Sequence, residues 1–200
     1  PLSLQSTKIR MSRNGKIDWG KFDSDKEVLG FLRTLPRYKN NVIKSAWWRF
    51  RFFVSLIYCR VFKVDKPLFI VFVTNNGCNL KCTYCYGDYG HRSAKGDYST
   101  MKTLQIVDEL KSLGTVMLTM HGGEALLRKD IGEVLNYAKL KGFYISFNTN
   151  GYYVERRIDE LRCVDTVVVS LDGTEENNDK LRGKGCYDQA VKAIGILAEN

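Results

Sequence analysis

Strand-like and helix-like stretches alternate four times between Pro67 and Asn200, and this alternation constrains the fold more than any other feature. Short β-branched or aromatic runs predict strands, whereas apolar residues repeated at three- and four-residue spacing predict helices. The order implies parallel strands joined by crossover helices, and therefore an α/β sheet that is either open or part of a barrel. The predicted strands are 68–74, 115–120, 143–148 and 165–171, and the predicted helices are 100–113, 129–141, 154–162 and 188–199.

Each predicted strand is followed directly by a cluster of polar or metal-binding residues. Parallel strands bring their carboxyl ends to one edge of the sheet, which is where the active sites of such folds lie. Chance alone rarely places four such clusters on the same edge, so we expect all four to contribute to one site. In chain order they are Cys78-Asn-Leu-Lys-Cys82-Thr-Tyr-Cys85, His121-Gly-Gly-Glu124, Asn148-Thr-Asn-Gly151 and Ser170-Leu-Asp-Gly173.

Three of the six cysteines, Cys78, Cys82 and Cys85, lie within eight residues. Thiolates at this spacing can converge on one soft metal centre. Zinc is the simplest alternative, but structural zinc sites use four ligands, usually in two pairs, and no fourth ligand is evident. Three clustered thiolates therefore favour an iron–sulfur cluster with one iron left open. The dispersed cysteines predict no second cluster and are expected to pack as small apolar side chains: Cys59, Cys163 and Cys186.

Together, the cysteine loop and the Gly-Gly-Glu segment resemble the radical S-adenosylmethionine (SAM) superfamily. In that family three cysteines hold a [4Fe–4S] cluster and SAM chelates the fourth iron, so the resemblance implies that Cys78, Cys82 and Cys85 are ligands. The resemblance covers residues 67–200 and implies a partial (β/α) barrel of radical SAM type, with about four βα units present. One departure is Ala125, which follows Glu124 where the family often has proline.

The resemblance also implies a set of cofactor-binding residues. Tyr84 matches the aromatic position whose loop backbone lies beside the adenine, and the Gly-Gly-Glu segment matches the one that binds the methionine amino group. Because glycines let a backbone approach a ligand and a carboxylate complements an ammonium, the chemistry agrees. The implied residues are Tyr84, Gly122, Gly123, Glu124, Thr149, Asn150, Ser170 and Arg182.

Several of these residues have a second interpretation. Asn150-Gly151 and Asp172-Gly173, each taken alone, are ordinary turn signals. Arg182 also fits a solvated surface charge. His121 fits either a substrate acid or base, or a packed histidine.

The resemblance implies a radical SAM enzyme. Its cluster, reduced by an external flavodoxin- or ferredoxin-type partner, would cleave SAM to a 5′-deoxyadenosyl radical that abstracts hydrogen from a substrate the sequence does not identify. The alternative is a non-catalytic iron–sulfur protein, used for electron transfer or structure, that keeps the cysteine loop. The Gly-Gly-Glu segment and the clusters after strands 3 and 4 favour the enzyme, because an electron carrier has no need of a SAM pocket.

Residues 1–66 differ in composition from the rest. They hold 15 basic and 5 acidic side chains, whereas residues 67–200 hold 16 and 17, so the net charge of +9 comes from this N-terminal extension. We expect a loosely packed lead-in over 1–42 with one short helix, and then a basic amphipathic helix over 43–63. Its apolar side gathers Trp47, Phe50, Phe53, Val54, Ile57, Tyr58 and Val61.

Three interpretations of this helix stay open, ranked in the following order. Its aromatic side packs on the βα region, or the helix lies on an anionic membrane surface, or it binds single-stranded nucleic acid. The apolar run is too short to span a bilayer. The cysteine usage favours a reducing, cytoplasmic setting, with peripheral membrane contact under the second interpretation.

The number of βα units predicts that the chain continues. Residues 67–200 show four units, whereas the family's partial barrel has six and a complete (β/α)8 barrel takes about 250 residues. We therefore expect the chain to be the front part of a longer protein, with the cluster and most of the SAM site but without the substrate wall.

Overall fold

A computed structural model describes residues 17–35, 42–93 and 95–200, with residues 42–46 described through their backbone. Four parallel strands form one sheet in the order β1-β2-β3-β4, so every strand pairs with its neighbour along the chain. The strands are β1 Phe69–Val73, β2 Met117–His121, β3 Tyr144–Thr149 and β4 Thr166–Val169. The predicted α/β class is confirmed, and the sheet is consistent with a partial barrel.

Helices follow the strands as the sequence pattern predicts. Ser99 caps the helix after β1, since its side chain accepts a hydrogen bond from Lys102 N at 3.2 Å. The helices are α1 Asp25–Arg33, α2 Val42–Phe62, α3 Thr100–Ser112, α4 Ile131–Leu140, α5 Val154–Leu161, α6 Glu175–Arg182 and α7 Cys186–Glu199. Helix α6 is absent from our prediction because its sequence is almost entirely polar and carries no apolar periodicity.

The two faces of the sheet differ in burial, as the two-residue period of a strand requires. Leu118 and Met120 of β2, and Phe147 of β3, are fully buried and join the core with the helices. On the opposite face, Val71 and Val73 of β1 remain exposed within the described structure. The helices therefore cover one face, and the other is the inner face of the partial barrel.

Residues 19–35 do not form the loosely packed lead-in that the sequence suggested. Trp19 is buried and donates its Nε1–H to Asp108 Oδ2 of α3 at 2.9 Å. Asp25 accepts hydrogen bonds from the backbone N–H groups of Thr100 and Met101, each at 2.9 Å, at the start of α3. This part belongs to the same core, through the buried side chains of Trp19, Phe22, Val28, Phe31 and Leu32. The rest of the predicted lead-in, residues 1–16 and 36–41, lies outside the described residues.

Helix α2 lies along the amino ends of the strands. Its Trp48 ring lies on Tyr144, with 3.9 Å between the ring centroids, and Trp48 Nε1 donates to Val116 O at 3.3 Å. Arg51 Nη1 donates to Gly142 O at 3.2 Å. The contacting side belongs to a stripe of partly buried side chains at helical spacing: Trp48, Arg51, Phe52, Ser55 and Cys59.

The predicted apolar side of α2 therefore points away from the sheet. Its side chains are 43–66% exposed, and they are Trp47, Phe50, Phe53, Val54, Ile57, Tyr58 and Val61. The interpretation that this side packs on the βα region is wrong for the part of the chain that the structure describes. In that same part, no helix has the length and apolar character needed to cross a membrane.

Candidate functional site

One cavity of about 220 Å³ opens at the carboxyl edge of the sheet. All four strand-end clusters contribute to its wall, as the parallel order of the strands requires. Every residue that the sequence singled out as a ligand or cofactor contact lines it: Cys78, Cys82, Tyr84, Cys85, Gly122, Gly123, Glu124, Thr149, Asn150, Ser170 and Arg182. The structure thus brings the whole predicted set together, and their ligand roles stay predictions.

The cysteine loop is a turn held by backbone hydrogen bonds. Cys85 N donates to Cys82 O at 3.2 Å, and Thr83 N donates to Leu181 O of α6 at 2.9 Å. All three thiols of the loop are partly buried. Burial raises the pKa of the Cys78 thiol against the opposing hydrogen bond from Leu80 N, and burial also raises the pKa of Cys82. A bound metal that favours thiolates would oppose this effect.

The arrangement of the thiols bears on the kind of metal centre. In the described ranges, no three His, Cys, Asp or Glu side chains converge closely enough to hold one metal ion. A cluster with several irons takes its thiolates on different irons, so its ligands need not converge on one point. In this arrangement Cys78, Cys82 and Cys85 could each hold a different iron of one cluster.

Glu124 is the most buried charged group of the cavity wall, with 1% of its surface exposed. Its Oε1 accepts hydrogen bonds from Thr149 Oγ1 at 2.9 Å and Leu126 N at 3.1 Å, and its Oε2 accepts one from Asn150 N at 2.7 Å. Burial raises its pKa, and the three donors oppose that effect. Since a carboxylate offers about four acceptor positions, Glu124 can take one further donor, and the burial favours a cationic one.

Gly122 and Gly123 let two loops pass in direct contact. A Cβ on Gly122 would stand 2.3 Å from Asn75 Oδ1, and a Cβ on Gly123 would stand 2.2 Å from Gly77 O. Asn75 itself is buried and donates its Nδ2–H to Gly77 O at 2.9 Å and to Glu124 O at 3.0 Å. The glycines are thus needed to seat the start of the cysteine loop against the Glu124 segment. The sequence alone predicts that these glycines let the backbone approach a ligand, and it gives no sign of the contact between the two loops.

Replacing Gly123 with alanine is expected to destabilise the protein by about 3 kcal/mol, because the new methyl group overlaps a backbone carbonyl that cannot rotate away. Urea unfolding, followed by circular dichroism, measures the change. Gly195→Ala is the matched control, because a Cβ there meets nothing within 4 Å in the middle of α7. The control is expected to gain about 0.5–1 kcal/mol from helix propensity. Equal effects of the two substitutions would contradict the proposed close packing.

Arg182 forms an ion pair with Asp172 and is not a solvated surface charge. Its Nε lies 2.6 Å from Asp172 Oδ2 and its Nη2 lies 3.2 Å from Asp172 Oδ1. Tyr84 donates its hydroxyl hydrogen to the same carboxylate. The hydrogen bonds from Arg182 lower the pKa of Asp172, while burial and the Asp172 contact raise the pKa of Tyr84 to about 12. This set joins the cysteine loop to the carboxyl end of β4 and to α6.

The strand-3 cluster also holds the cysteine loop. Asn150 Nδ2 donates to Asn79 Oδ1 at 2.8 Å, while Asn150 Oδ1 accepts from Tyr152 N at 3.0 Å. Gly151 has φ +89°, so Asn150-Gly151 is both a turn and part of the site. His121 lines the cavity beside Tyr86, with 3.5 Å between its Nδ1 and the tyrosine hydroxyl.

Three residues that shape the site were missed at the level of sequence: Asn75, Asn79 and Asp172. The first two belong to Asn-rich segments around the cysteine loop, which indicate turns and nothing more specific. The sequence shows Asp172 within the Ser170–Gly173 cluster but indicates no partner for it, because its pairing with Arg182 depends on the unpredicted helix α6.

Comparison with known proteins identifies this arrangement. The sequence model of the radical SAM superfamily matches residues 72–200, which carry all eleven predicted site residues. The chain belongs to the radical SAM superfamily. Its cofactors are accordingly a [4Fe–4S] cluster and SAM.

Curated relatives match a similar length of the chain. The chain is 36% identical over 137 residues to Fe-coproporphyrin III synthase of Methanosarcina barkeri, covering 66% of this chain and 34% of that protein. It is 35% identical over 140 residues to mycofactocin maturase MftC of Mycobacterium ulcerans, covering 68% and 37%. The chain therefore spans about a third of the length of these relatives.

The fold matches solved radical SAM-type structures. Streptococcus suis SuiB bound to SAM superposes with a TM-score of 0.60 at 20% identity, covering 98% of this chain and 47% of that one.

Cys78, Cys82 and Cys85 would hold the cluster, and their thiol chemistry fits it. Glu124, which already accepts three hydrogen bonds, would accept the SAM ammonium at its remaining position. Asn148 Oδ1, on the same wall, is buried and lacks a hydrogen-bond partner in the described structure, so it can accept a further donor.

Proposed function

We propose that this protein binds SAM beside a [4Fe–4S] cluster at the carboxyl edge of its sheet and cleaves it reductively, as an enzyme that abstracts hydrogen from an organic substrate. The observation that carries the proposal is the convergence of all four strand-end clusters on one cavity. When bound, the cluster and SAM supply the one-electron cleavage that yields a 5′-deoxyadenosyl radical. The chain supplies binding, orientation and the exclusion of water.

The residues of the cavity divide this work between them. Cys78, Cys82 and Cys85 hold the metal centre at a partly buried position, which limits the access of water and oxygen. Glu124, fixed by three hydrogen bonds, orients the amino group of SAM. Tyr84, fixed by Asp172, stands on the cavity wall, and the backbone of its loop would lie beside the adenine of SAM.

An external one-electron reductant of flavodoxin or ferredoxin type would supply the electron, in a reducing cytoplasmic compartment. The relatives are named for Fe-coproporphyrin III synthesis and for mycofactocin maturation, and one solved SuiB structure contains the precursor peptide SuiA. These names differ in substrate, so the proposal stops at SAM cleavage and hydrogen abstraction.

Anaerobic reconstitution of the full-length protein with iron and sulfide tests the proposal. With dithionite and SAM present, we expect 5′-deoxyadenosine and methionine to form, and we expect neither when SAM or dithionite is left out. Liquid chromatography with mass detection measures both products. A protein that takes up the cluster but forms no 5′-deoxyadenosine under these conditions would instead support the non-catalytic iron–sulfur alternative.

A further inference from the structure

A basic groove lies at the opposite edge of the sheet from the cysteine loop. It occupies about 280 Å³ between α2, the end of α3 and the amino ends of β1 and β2, and three cations line it: Arg51, Lys66 and Lys111. Arg51 Nη1 and Lys111 Nζ stand 3.2 and 3.7 Å from the point that a Cβ on Gly142 would occupy, so the two charges are close neighbours. The Lys66 side chain passes close to Gly114, where a Cβ would lie 3.1 Å from Lys66 Cδ.

These cations have no anionic partner in the described part of the chain. Arg51 donates to a backbone carbonyl, Lys66 Nζ lies 4.4 Å from the centre of the Tyr58 ring, and Lys111 Nζ lies 5.2 Å from that of Phe143. Burial, followed by the nearby Arg51 and Lys141 charges, lowers the pKa of Lys111 to about 8. Lys141 is itself paired with Asp108 at 2.7 Å. Like charges held together in this way indicate a site for an anion.

A buried hydroxyl points to the same conclusion. Thr115, which is 1% exposed and lines the groove, has an Oγ1 without a hydrogen-bond partner in the described structure. A buried polar group left unpaired is costly, and an anion in the groove would accept its hydrogen. Three cations and one hydroxyl donor match the oxygen-rich surface of a phosphate group.

The groove borders the exposed apolar side of α2. Val54 and Tyr58 belong to both surfaces, since they line the groove and are 47% and 43% exposed. The sequence of α2 contains no acidic residue, and Arg49, Arg60 and Lys63 flank the apolar side. An apolar strip beside a phosphate-type site is the pattern of a helix that lies in a membrane interface.

We propose that the amino edge of the sheet docks on an anionic phospholipid membrane, with the apolar side of α2 against the acyl chains and a lipid phosphate in the groove. Charge argues for this occupant over a second copy of the chain, because two N-terminal extensions, each carrying a net charge of +10, would repel. The aliphatic share of the strip, Val54, Ile57 and Val61, favours acyl chains over the stacked bases of a nucleic acid.

Co-sedimentation of the full-length, cluster-loaded protein with vesicles tests this proposal. We expect binding to vesicles of phosphatidylcholine mixed with phosphatidylglycerol, weak or no binding to phosphatidylcholine alone, and a loss of binding as salt rises. Absence of binding to the anionic vesicles, or equal binding to both kinds, overturns the proposal.

Two pairs of substitutions locate the surface. Phe53→Ser with Val61→Ser removes apolar area, and Lys66→Gln with Lys111→Gln removes two charges of the groove. We expect each pair to weaken vesicle binding by about tenfold or more while SAM cleavage stays unchanged. The matched controls, Tyr98→Ser and Lys102→Gln, are exposed at the other edge of the sheet and are expected to bind as wild type. Equal effects of controls and test pairs also overturn the proposal.

Two further measurements separate the lipid from other ligands. Inorganic phosphate is expected to bind weakly and to compete only in large excess, because it lacks the acyl chains. Tight phosphate binding would indicate a site for a free phosphate compound if the Phe53→Ser, Val61→Ser variant also bound vesicles as well as wild type. That result overturns the membrane proposal. A single-stranded oligonucleotide that binds more tightly than anionic vesicles, and loses binding in the same variants, overturns it in favour of nucleic acid.

Discussion

Replacement of Cys82 by alanine is expected to abolish the iron–sulfur chromophore after anaerobic reconstitution and to lower 5′-deoxyadenosine formation by more than about a hundredfold. Changes in residues that merely support a metal ligand cost about 10- to 100-fold, so the loss of a ligand itself should cost more. Cys82 lies between Cys78 and Cys85 on the cavity wall, and each of those thiols is already expected to hold an iron of its own. Iron and sulfide analysis, visible absorbance and product detection measure the three effects.

Cys163→Ser is the control for that experiment. Cys163 is buried away from the cavity, and its Sγ donates to Glu160 O at 3.4 Å, a contact that a serine hydroxyl can keep. The control is expected to retain the full cluster content and product yield. If Cys82→Ala keeps its iron and cleaves SAM as well as the control does, the cysteine loop is not the cluster site.

Glu124→Gln is expected to weaken SAM binding by about 10- to 100-fold, since a hydrogen bond to a charged group contributes about 1.5–3 kcal/mol. The glutamine side chain lacks the charge that would face the SAM ammonium. Its NH2 group would also lie against a donor, either the Asn150 N–H or the donors of Thr149 and Leu126. Calorimetry of SAM binding to the cluster-loaded protein measures the change.

Stability should respond differently from binding in this variant. The buried charge carries a desolvation cost that raises the pKa of Glu124, and glutamine removes that cost while it loses strong hydrogen bonds. The two effects oppose each other, so the free energy of unfolding is expected to change by less than about 2 kcal/mol. Glu109→Gln, on an exposed part of α3, serves as the control and should leave both quantities unchanged. A loss of stability well above about 2 kcal/mol, in a protein that still folds and binds SAM with unchanged affinity, would make Glu124 a purely structural residue.

Much of the site could be predicted because the chemistry follows the strands directly. Apolar runs located β1 to β4, and the parallel order then placed Cys78, Glu124, Asn150 and Ser170 on one edge without any knowledge of their distances. The close approach of Gly123 to Gly77 could not be predicted in this way, because it joins two loops whose paths depend on the folded sheet.

The orientation of α2 shows a different limit of sequence analysis. Helical periodicity identifies which side chains share a side, but not which side meets the protein. Here the less apolar side faces inward because Trp48 packs on the Tyr144 ring and Arg51 donates a hydrogen bond to Gly142 O, both at the amino end of β3. Likewise, burial of Trp19 depends on Asp108, which is 89 residues away along the chain.

The length of the strands sets the distance between the α2 surface at the amino edge of the sheet and the cysteine-loop cavity at the carboxyl edge. At about 3.3 Å per residue, the five residues of β1 or β2 span roughly 17 Å from the amino edge to the carboxyl edge. A protein resting on α2 would hold its cysteine loop at about that height above the lipid headgroups, beyond the Debye length of about 10 Å over which membrane charge acts. The reductant would then approach from the aqueous side without crossing the membrane's field. A lipid-linked substrate would need a polar headgroup long enough to reach that height, whereas a soluble substrate would meet no such requirement.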